Sequence, residues 1–318
     1  MVNQPLVSIV ITSYTTDIID DIFDLLDSIK TQTYPNVETI FVAEKSKELL
    51  EKVKTYAQVK QIPNLKVIFN DGEPGLSVAR NLGVNNSHGD IIGFTDDDAV
   101  LFPDWAEHVV KSLENKDTIG VTGSAFPLWE DDSLKWLPEE FYWLVSCIAW
   151  TGWKEAHSVR GAFGANMAFR KEAFSQTCQF STTAGFADGH RDKPISEDIE
   201  FSLRLKKRTG KAIVFDPKAR VWHRVLKRRL NFSYIVQRAH HIGSTRRIIR
   251  RYYAHEFGSF EQEKHVLTGI FKIMLGIPKE AFTSPRVAGK KFYITVLVLS
   301  SAAIGYIIPI PSYSLVLE

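Results

Sequence analysis

The sequence contains little cysteine and no recognisable export signal. Its 2 cysteines, Cys147 and Cys178, form neither a CxxC pair nor a disulfide framework, as is typical of proteins from a reducing compartment. The opening residues MVNQPLVSIVITSY lack a basic segment followed by an apolar segment and a small-residue cleavage site. We therefore predict no signal peptide.

An excess of charge of one sign is also missing, because 39 Lys and Arg are nearly balanced by 37 Asp and Glu. The net charge of +2 creates no general field for nucleic acid, and we expect no nucleic-acid partner. Locally the balance is uneven, since eleven Lys or Arg and no Asp or Glu lie between Lys218 and Arg251. Such a stretch would suit a helix against anionic lipid headgroups, and a solvated helix face is the alternative.

Short apolar runs alternate with amphipathic segments in the first third of the chain. The runs predict strands at Leu6–Tyr14, Val37–Val42, Leu65–Asn70, Asp90–Thr95 and Thr118–Gly123. The amphipathic segments predict helices at Ile18–Thr31, Ser46–Val59, Leu76–Asn85 and Asp104–Leu113. This alternation is typical of an α/β fold with a mostly parallel sheet flanked by helices. Ligands bind such sheets at the carboxyl ends of the strands.

The pattern changes to an aromatic-rich region after about residue 124. Further predicted elements are a helix at Glu197–Thr209, strands at Lys211–Phe215 and Ala219–Val225, a basic helical region at Asn231–Ala254 and an amphipathic piece at His265–Leu275. We find no internal repeat and no low-complexity linker.

An uncharged apolar segment, Phe292–Ile310, approaches the ~20 residues that cross a bilayer. A transmembrane helix is the favoured interpretation, and an interfacial element or a buried core helix are the alternatives. Lys290 and Lys291 precede the segment, so the positive-inside rule would place the main domain in the cytoplasm.

Three adjacent carboxylates, Asp96, Asp97 and Asp98, follow the fourth predicted strand in GFTDDDAVLFPDW. Oxygen ligands in a D-x-D pattern at a strand end suit Mg²⁺ or Mn²⁺ that carries a diphosphate. Acidic strand ends also occur by chance, so this motif is weak when it stands alone.

Two other features converge with the acidic motif. Glu197 and Asp198 begin a predicted helix, where the helix dipole favours carboxylates and where acidic residues are common without a function. His223 lies on the strand that follows, and a lone histidine is more often structural than a ligand.

Taken together and in order, these segments resemble the family 2 glycosyltransferases, which are inverting enzymes with the GT-A nucleotide-sugar-binding fold. The resemblance covers roughly residues 6–225, through VSIVITSYTTD, GLSVARNLGV, GFTDDDAVLFPDW, GAFGANMAFRKEAF, SEDIEFSLRL and FDPKARVWH. It implies the metal-dependent transfer of a sugar from a nucleotide-sugar donor to an acceptor, with inversion at the anomeric carbon.

The resemblance also implies a set of donor-site residues. Those expected to contact the nucleotide or the donor sugar are Thr12, Ser13, Tyr14, Glu44, Asn70, Arg80, Asp96, Gly164 and Asn166. Packing for Tyr14 and a surface charge for Arg80 are the structural alternatives. The second strand departs from the family's VDDGS and instead ends in FVAEKS, so Glu44 would have to replace an aspartate. The alternative is that base recognition moves elsewhere. By its frequency in the family, UDP is the expected nucleotide, with GDP as the second choice.

By the same resemblance, Asp98 should bind Mn²⁺ or Mg²⁺ directly and His223 should be a second metal or diphosphate ligand. Asp96 should contact the ribose or the hydration shell of the metal, while Asp97 would hold the turn. Asp198 is the expected catalytic base, and Glu197 would orient the acceptor or the base.

The acceptor is less well defined by the sequence. Tryptophans recur every seven residues at Trp129, Trp136, Trp143 and Trp150, which favours core packing, with acceptor or membrane contact as the alternatives. The segment STTAGFADGHRDKP suggests a mobile loop. The basic and apolar C-terminal segments favour a lipid-linked acceptor, such as a polyprenyl or dolichyl phosphate or its glycan, in N-glycan or surface polysaccharide assembly.

We accordingly expect three regions. Residues 1–228 would form the catalytic domain, 229–288 a helical region at the membrane surface, and 289–318 a transmembrane or membrane-inserted segment. The expected partners are the nucleotide-sugar, the acceptor and membrane lipids.

Two other functions compete with glycosyl transfer. The sequence DDDAV fits the D-x-D-x-V nucleophile motif of haloacid-dehalogenase-type phosphatases, but four predicted strands precede it, whereas that motif normally opens the phosphatase fold. A membrane-tethered scaffold that binds sugar nucleotides without catalysis would be expected to have lost Asp98, Asp198 or His223, and none is lost.

Overall fold

The structure, a computed structural model, describes residues 4–148, 155–177, 179–182, 196–252 and 261–308. Its strands are β1 Val7–Ser13, β2 Val37–Glu44, β3 Leu65–Asn70, β4 Ile91–Thr95, β5 Ala99–Leu101, β6 Thr118–Trp129, β7 His157–Val159, β8 Asn166–Arg170 and β9 Ala212–Val225. Its α-helices are α1 Ile19–Lys30, α2 Lys47–Lys60, α3 Leu76–Asn85, α4 Trp105–Ser112, α5 Glu172–Thr177, α6 Glu197–Thr209, α7 Phe232–Tyr252, α8 Glu261–Thr283 and α9 Pro285–Ile307. Short 3₁₀ helices lie at Asp132–Leu134, Glu139–Val145 and Lys227–Leu230.

The strands form one mixed sheet in the order β3-β2-β1-β4-β8-β6-β9-β5, and β7 pairs with β9. The first four are parallel, while β8 joins β4 and β6 in antiparallel fashion. Because β1 has β2 on one side and β4 on the other, the direction of chain progression reverses at β1. That reversal leaves a crevice at the carboxyl ends of β1 and β4, where open α/β sheets bind ligands.

Burial explains why β1 and β4 carry apolar residues on both faces. Every residue of β4 is buried, and so is every residue of β1 except Thr12. Ile9 and Phe41 belong to a core cluster that also includes Trp105 of α4. Strands that are covered on both faces carry continuous rather than alternating apolar residues, and the fold class expected from the sequence is confirmed.

Several elements differ from the sequence-based prediction. Strands β5, β7 and β8 were not predicted, and the two strands predicted at 211–225 form the single strand β9. The amphipathic piece at His265–Leu275 is part of the much longer helix α8, and α9 begins at Pro285, before the apolar segment. Strands of three to five residues are too short to show a hydrophobic period, so only their pairing in the sheet reveals them.

The chain divides into two compact units. Unit 1 comprises Met1–Phe126 and Trp153–His223, and unit 2 comprises Pro127–Gly152 and Arg224–Glu318. The expected catalytic domain, residues 1–228, therefore includes a segment that packs in unit 2.

Unit 2 has its own apolar core, to which Phe141, Leu144 and Val225 contribute together with α7, α8 and α9. Trp129, Trp136 and Trp143 pack against this core, whereas Trp150 and Trp153 lie outside the described residues.

Candidate active site

The first group of the site is assembled by the pairing of β5 with β9. The three aspartates follow β4 directly, and Ala99 then begins β5. Ala99 lies opposite His223 in the antiparallel register of β5 and β9. This pairing brings the imidazole of His223 to the carboxyl end of β4, although 125 residues or more separate it from the aspartates along the chain.

Asp96, Asp98 and His223 offer ligand atoms that lie within 4.8 Å of one another. Nε2 of His223 is 3.3 Å from Oδ1 of Asp98 and 3.4 Å from Oδ2 of Asp96. His223 is fully buried and Asp98 is buried, while Asp96 is partly exposed. Two carboxylates and one imidazole fit a divalent cation such as Mn²⁺, and the exposed side at Asp96 gives it access to solvent.

Asp97 is not a member of this group. Burial of its carboxyl group, reinforced by the negative charge of Asp98, raises the pKa of Asp97 to about 7. Partial protonation near neutral pH therefore reduces the repulsion among the three adjacent aspartates.

The second group lies at the start of α6, where Glu197 and Asp198 are both buried. Oδ2 of Asp198 accepts a hydrogen bond of 2.8 Å from the backbone N–H of Gly164. A Cβ atom at Gly164 would lie 3.2 Å from that same oxygen and 3.2 Å from Nη2 of Arg80. Glycine thus allows the backbone to approach both charged groups closely.

Arg80 connects the two groups. Its Nη1 lies 2.6 Å from Oε1 of Glu197, and its Nη2 lies 3.4 Å from Oδ1 of Asp96. Nη2 is also 3.4 Å from the carbonyl oxygen of Gly164, and the side chain is buried. The resemblance suggested that Arg80 contacts the base or the phosphate, whereas in this structure its guanidinium lies between two carboxylates.

The surroundings of Glu197 have opposing effects on the pKa of its carboxyl group. Burial raises the pKa of Glu197, the positive charge of Arg80 opposes this shift, and the nearby charge of Asp198 adds to it. Oε2 of Glu197 is buried and has no hydrogen-bond partner among the described residues. A buried acceptor of this kind is costly unless a ligand satisfies it.

Five of the nine expected donor-site residues lie at the carboxyl ends of β1, β2 and β3. Ser13 is buried and Thr12 is partly buried, while the side chain of Tyr14 is exposed. Glu44 and Asn70 are neighbours in the parallel register of β2 and β3.

Glu44 already has a structural partner. Its Oε2 accepts a 2.9 Å hydrogen bond from the backbone N–H of Gly75, which adopts a φ of 137° just before α3. A longer acidic side chain at the end of β2 therefore fixes the loop that leads into α3.

Asn166 requires a correction, because its side chain is saturated by protein partners. Its Oδ1 accepts from Nε1 of Trp105 at 2.8 Å, and its Nδ2 donates to the carbonyls of Ser124 at 3.0 Å and Ala219 at 2.8 Å. The side chain is 1% exposed. No donor group is left for a sugar, so the donor contact suggested by the sequence is replaced by a structural role.

The loop suggested at Ser181–Pro194 lies outside the described residues apart from its first two positions.

The Arg80–Glu197 ion pair could not be predicted from the sequence, since 117 positions separate the two residues and each belongs to a different motif.

A comparison with protein families finds that the model described as glycosyl transferase family 2 matches residues 8–177, just over half of the chain. A glucosyl-dolichyl phosphate glucuronosyltransferase of Haloferax volcanii is 26% identical over 302 residues, which cover 94% of this chain and 94% of the relative. A glycosyltransferase of Haemophilus influenzae is 31% identical over 128 residues, 39% of this chain and 38% of that protein.

Among solved structures, a mannosyltransferase of Pyrobaculum calidifontis in complex with GDP-Man and Mn²⁺ superposes with a TM-score of 0.64. The superposition covers 96% of this chain and 88% of the other at 17% identity, a likeness that concerns the fold. These matches favour the transferase over the phosphatase hypothesis.

The metal group can be tested directly. Asp98→Ala should weaken Mn²⁺ binding at least ~10-fold, because the buried carboxylate that faces His223 is lost. Titration with Mn²⁺ followed by electron paramagnetic resonance measures the change. Asp132→Ala, at an exposed carboxylate that pairs with Lys135, is the matched control and should bind normally. Equal titrations of the Asp98 variant and the control would remove Asp98 from the ligand set.

The structural role of Asn166 makes a different prediction. Asn166→Ala should lower the free energy of unfolding by about 1–3 kcal/mol, since the buried N–H of Trp105 and two carbonyls lose their partner. Chemical denaturation measures this loss, with the exposed Asn85→Ala as control. The KM for the donor should stay unchanged in the folded protein. A large increase in the KM for the donor with normal stability would indicate that Asn166 contacts the donor.

Proposed function

The chain belongs to glycosyl transferase family 2, and we propose that it transfers a sugar from a nucleotide-sugar to a lipid-linked acceptor with the help of a divalent cation. The observation that carries this proposal is the convergence of Asp96, Asp98 and His223 at the carboxyl end of β4. A second acidic pair, Glu197 and Asp198, is linked to them through Arg80. A glycosyltransferase with inverting chemistry needs both a group for the leaving diphosphate and a carboxylate for the acceptor.

The donor would bind along the carboxyl ends of β1 to β4. The exposed ring of Tyr14 and the adjacent Thr12 are available to a nucleotide, while Glu44 and Asn70 line the neighbouring strands. Mn²⁺ or Mg²⁺ held by Asp98, Asp96 and His223 would act as a Lewis acid on the departing diphosphate. We propose a UDP-sugar as the donor, with a GDP-sugar as the second choice.

Asp198 is the proposed general base. Its Oδ2 is held in place by the N–H of Gly164, and the start of α6 supplies a second N–H from Ile199 at 2.7 Å. Both contacts orient the carboxylate. It would take the proton of an attacking hydroxyl, so that one base opposite the leaving group gives inversion.

Glu197 is proposed to orient the acceptor. Its Oε1 is engaged by Arg80, while the buried Oε2 remains available as a hydrogen-bond acceptor. An acceptor hydroxyl that donates to Oε2 would satisfy this atom and lie beside Asp198.

The lipid-linked nature of the acceptor is supported by the Haloferax volcanii relative, whose name specifies a glucosyl-dolichyl phosphate substrate and a glucuronosyl group. That match covers 94% of both chains. We therefore propose a hexosyl or glucuronosyl transfer to a polyprenyl or dolichyl phosphate, or to a glycan on it. The enzyme would work at a membrane, with its catalytic unit on the cytoplasmic side.

A donor panel tests the proposed function. The full chain is incubated with UDP-glucose, UDP-glucuronate, UDP-N-acetylglucosamine and GDP-mannose, in Mn²⁺, in Mg²⁺ or in EDTA. Acceptors are a polyprenyl phosphate, a polyprenyl-phosphate glycan and soluble sugars. We expect transfer from one UDP-sugar to a lipid-linked acceptor, abolished by EDTA. Transfer only to soluble sugars would refute the lipid acceptor, and undiminished transfer in EDTA would refute the metal.

The role of Asp198 can be separated from donor binding. Asp198→Asn keeps the size of the side chain and an oxygen for the N–H of Gly164, but removes the base. With a hydroxyl acceptor, kcat should fall by about 10²–10⁴ while donor affinity stays nearly intact. The exposed Asp117→Asn serves as the matched control.

The same variant reports on the class of acceptor. A phosphate oxygen is already largely ionised near pH 7, so transfer to a lipid phosphate would lose much less than 10²-fold. An unchanged kcat with a hydroxyl acceptor would contradict the assignment of the base.

A further inference from the structure

Helix α9 is long and apolar enough to cross a membrane, and among the described residues it is the only helix that meets this criterion. Its length and composition do not decide whether it does so, because its neighbours in unit 2 matter equally. These neighbours are the 3₁₀ helix at Glu139–Val145, the end of β9 at Val225, and the helices α7 and α8.

One face of α9 packs against irregular and strand structure, while its other sides leave large apolar side chains exposed at Phe292, Tyr293, Val296, Leu299 and Ile304. Ile294 and Val298 are buried and belong to the same core cluster as Phe141, Leu144 and Val225. Phe141 and Leu144 lie on a 3₁₀ helix that begins with two glutamates. Hydrocarbon does not tolerate lipid-exposed strand ends or short irregular segments, so the packed face of α9 contacts a protein core and not a bilayer core.

Helix α7 runs parallel to α9 in direct backbone contact. The ring of Phe232, the first residue of α7, stacks on the ring of Tyr293 in α9, with centroids 5.6 Å apart. Further along, Oγ of Ser244 donates to the carbonyl of Gly305 at 3.1 Å. A Cβ atom at Gly305 would lie 2.0 Å from the carbonyl oxygen of His240, so only glycine permits this approach.

Because of this contact, α7 would have to accompany α9 through a membrane. Within Phe232–Tyr252 there are five arginines and no acidic residue. Arg247 donates from Nη1 to the carbonyls of Tyr306, at 3.2 Å, and Ile307, at 2.6 Å, at the end of α9. Arginines are costly in hydrocarbon, and a helix that is rich in them is suited to the headgroup region.

Helix α8 presents an apolar stripe to the outside. Leu267, Phe271, Leu275 and Phe282 are 56%, 63%, 64% and 91% exposed. Their spacing of four, four and seven residues places them on one face of the helix. Ile270, beside this stripe on the helix surface, is buried in the core of unit 2. Monomeric soluble proteins rarely leave such a row of large apolar side chains uncovered.

Lysines accompany this stripe. Lys272 and Lys279 are exposed and, at a spacing of seven residues, lie together on one flank of it. Large apolar side chains flanked by lysines are typical of helices that lie in the plane of a membrane surface, where the apolar groups enter the headgroup boundary and the lysines contact anionic phosphates.

We propose that unit 2 holds the protein on one leaflet of an anionic membrane, that the stripe Leu267–Phe271–Leu275–Phe282 of α8 is the lipid-contacting surface, and that α9 does not cross the bilayer. This differs from the spanning helix that the composition of the sequence favours. The occupant of the stripe is a lipid surface, since the lysines beside it complement anionic headgroups and α7 adds no negative charge. The proposal does not depend on the proposed transfer reaction.

Liposome flotation tests the surface. The full chain is mixed with vesicles of phosphatidylcholine, with or without 30% phosphatidylglycerol as the chosen anionic lipid. Phe271→Glu with Leu275→Glu should lower the bound fraction about 10-fold or more, because two inserted apolar side chains are lost and two negative charges are added. Val59→Glu, at a 75% exposed apolar residue of α2, is the matched control and should float like the unchanged protein.

Three outcomes of the flotation experiment would overturn the lipid surface. These are equal flotation of the double variant and the control, flotation independent of anionic lipid, or a double variant that floats normally but loses a dimer by light scattering. Circular dichroism checks that the double variant is folded, as expected for exposed positions. Asp98→Ala should float normally, so that failure of the transfer reaction and failure of this proposal remain distinguishable.

Protease protection tests the topology. The full chain carries one epitope tag at each end and is expressed so that sealed, inside-out membrane vesicles can be prepared. We expect protease to remove both tags without detergent, and alkaline carbonate to release the protein. Protection of the C-terminal tag alone, together with resistance to carbonate, would show that α9 crosses the membrane and would refute the proposal.

Discussion

The buried guanidinium of Arg80 is the interaction on which the candidate active site depends. It lies 2.6 Å from Glu197 and 3.4 Å from Asp96, two carboxylates that would otherwise be left close together without compensation. Breaking such a buried pair is strongly destabilising, because the remaining charge has no solvent. Arg80 comes from α3, Asp96 from the end of β4 and Glu197 from α6, so one side chain connects three separate elements of the site.

The sheet topology supplies the remaining constraint. Its parallel half creates the crevice at the ends of β1 and β4, as in other open α/β sheets. Its antiparallel half delivers the groups that the crevice lacks: β9 brings His223 to Asp98 through the short strand β5, and the turn before β8 brings Gly164 to Asp198. Asn166 stabilises this half from within, because its side chain ties Trp105 to two strand carbonyls. A site built on paired strands is held more rigidly than one built on loops.

The helices of unit 2 show that tertiary packing, and not composition alone, decides whether an apolar helix contacts lipid or protein. By composition, α9 is a membrane helix, yet it buries Ile294 and Val298 in a protein core and is in backbone contact with the arginine-rich α7. The uncovered apolar residues of α8 then become candidates for lipid contact, beside those on the exposed side of α9. A helix that crosses the membrane and a helix that lies on its surface would both keep an enzyme close to a lipid-linked acceptor.

The sequence by itself determined the family, the fold class, and the strands and helices of the parallel half, because continuous apolar strands and amphipathic helices leave local periodic patterns. It also singled out Asp96, Asp98 and His223, since their motifs occur in a fixed order. Only the tertiary structure revealed the short strands β5 and β8, the partner of Arg80, the saturation of Asn166 and the neighbours of α9. Each of these depends on contacts between residues far apart in the chain, which local periodicity does not record.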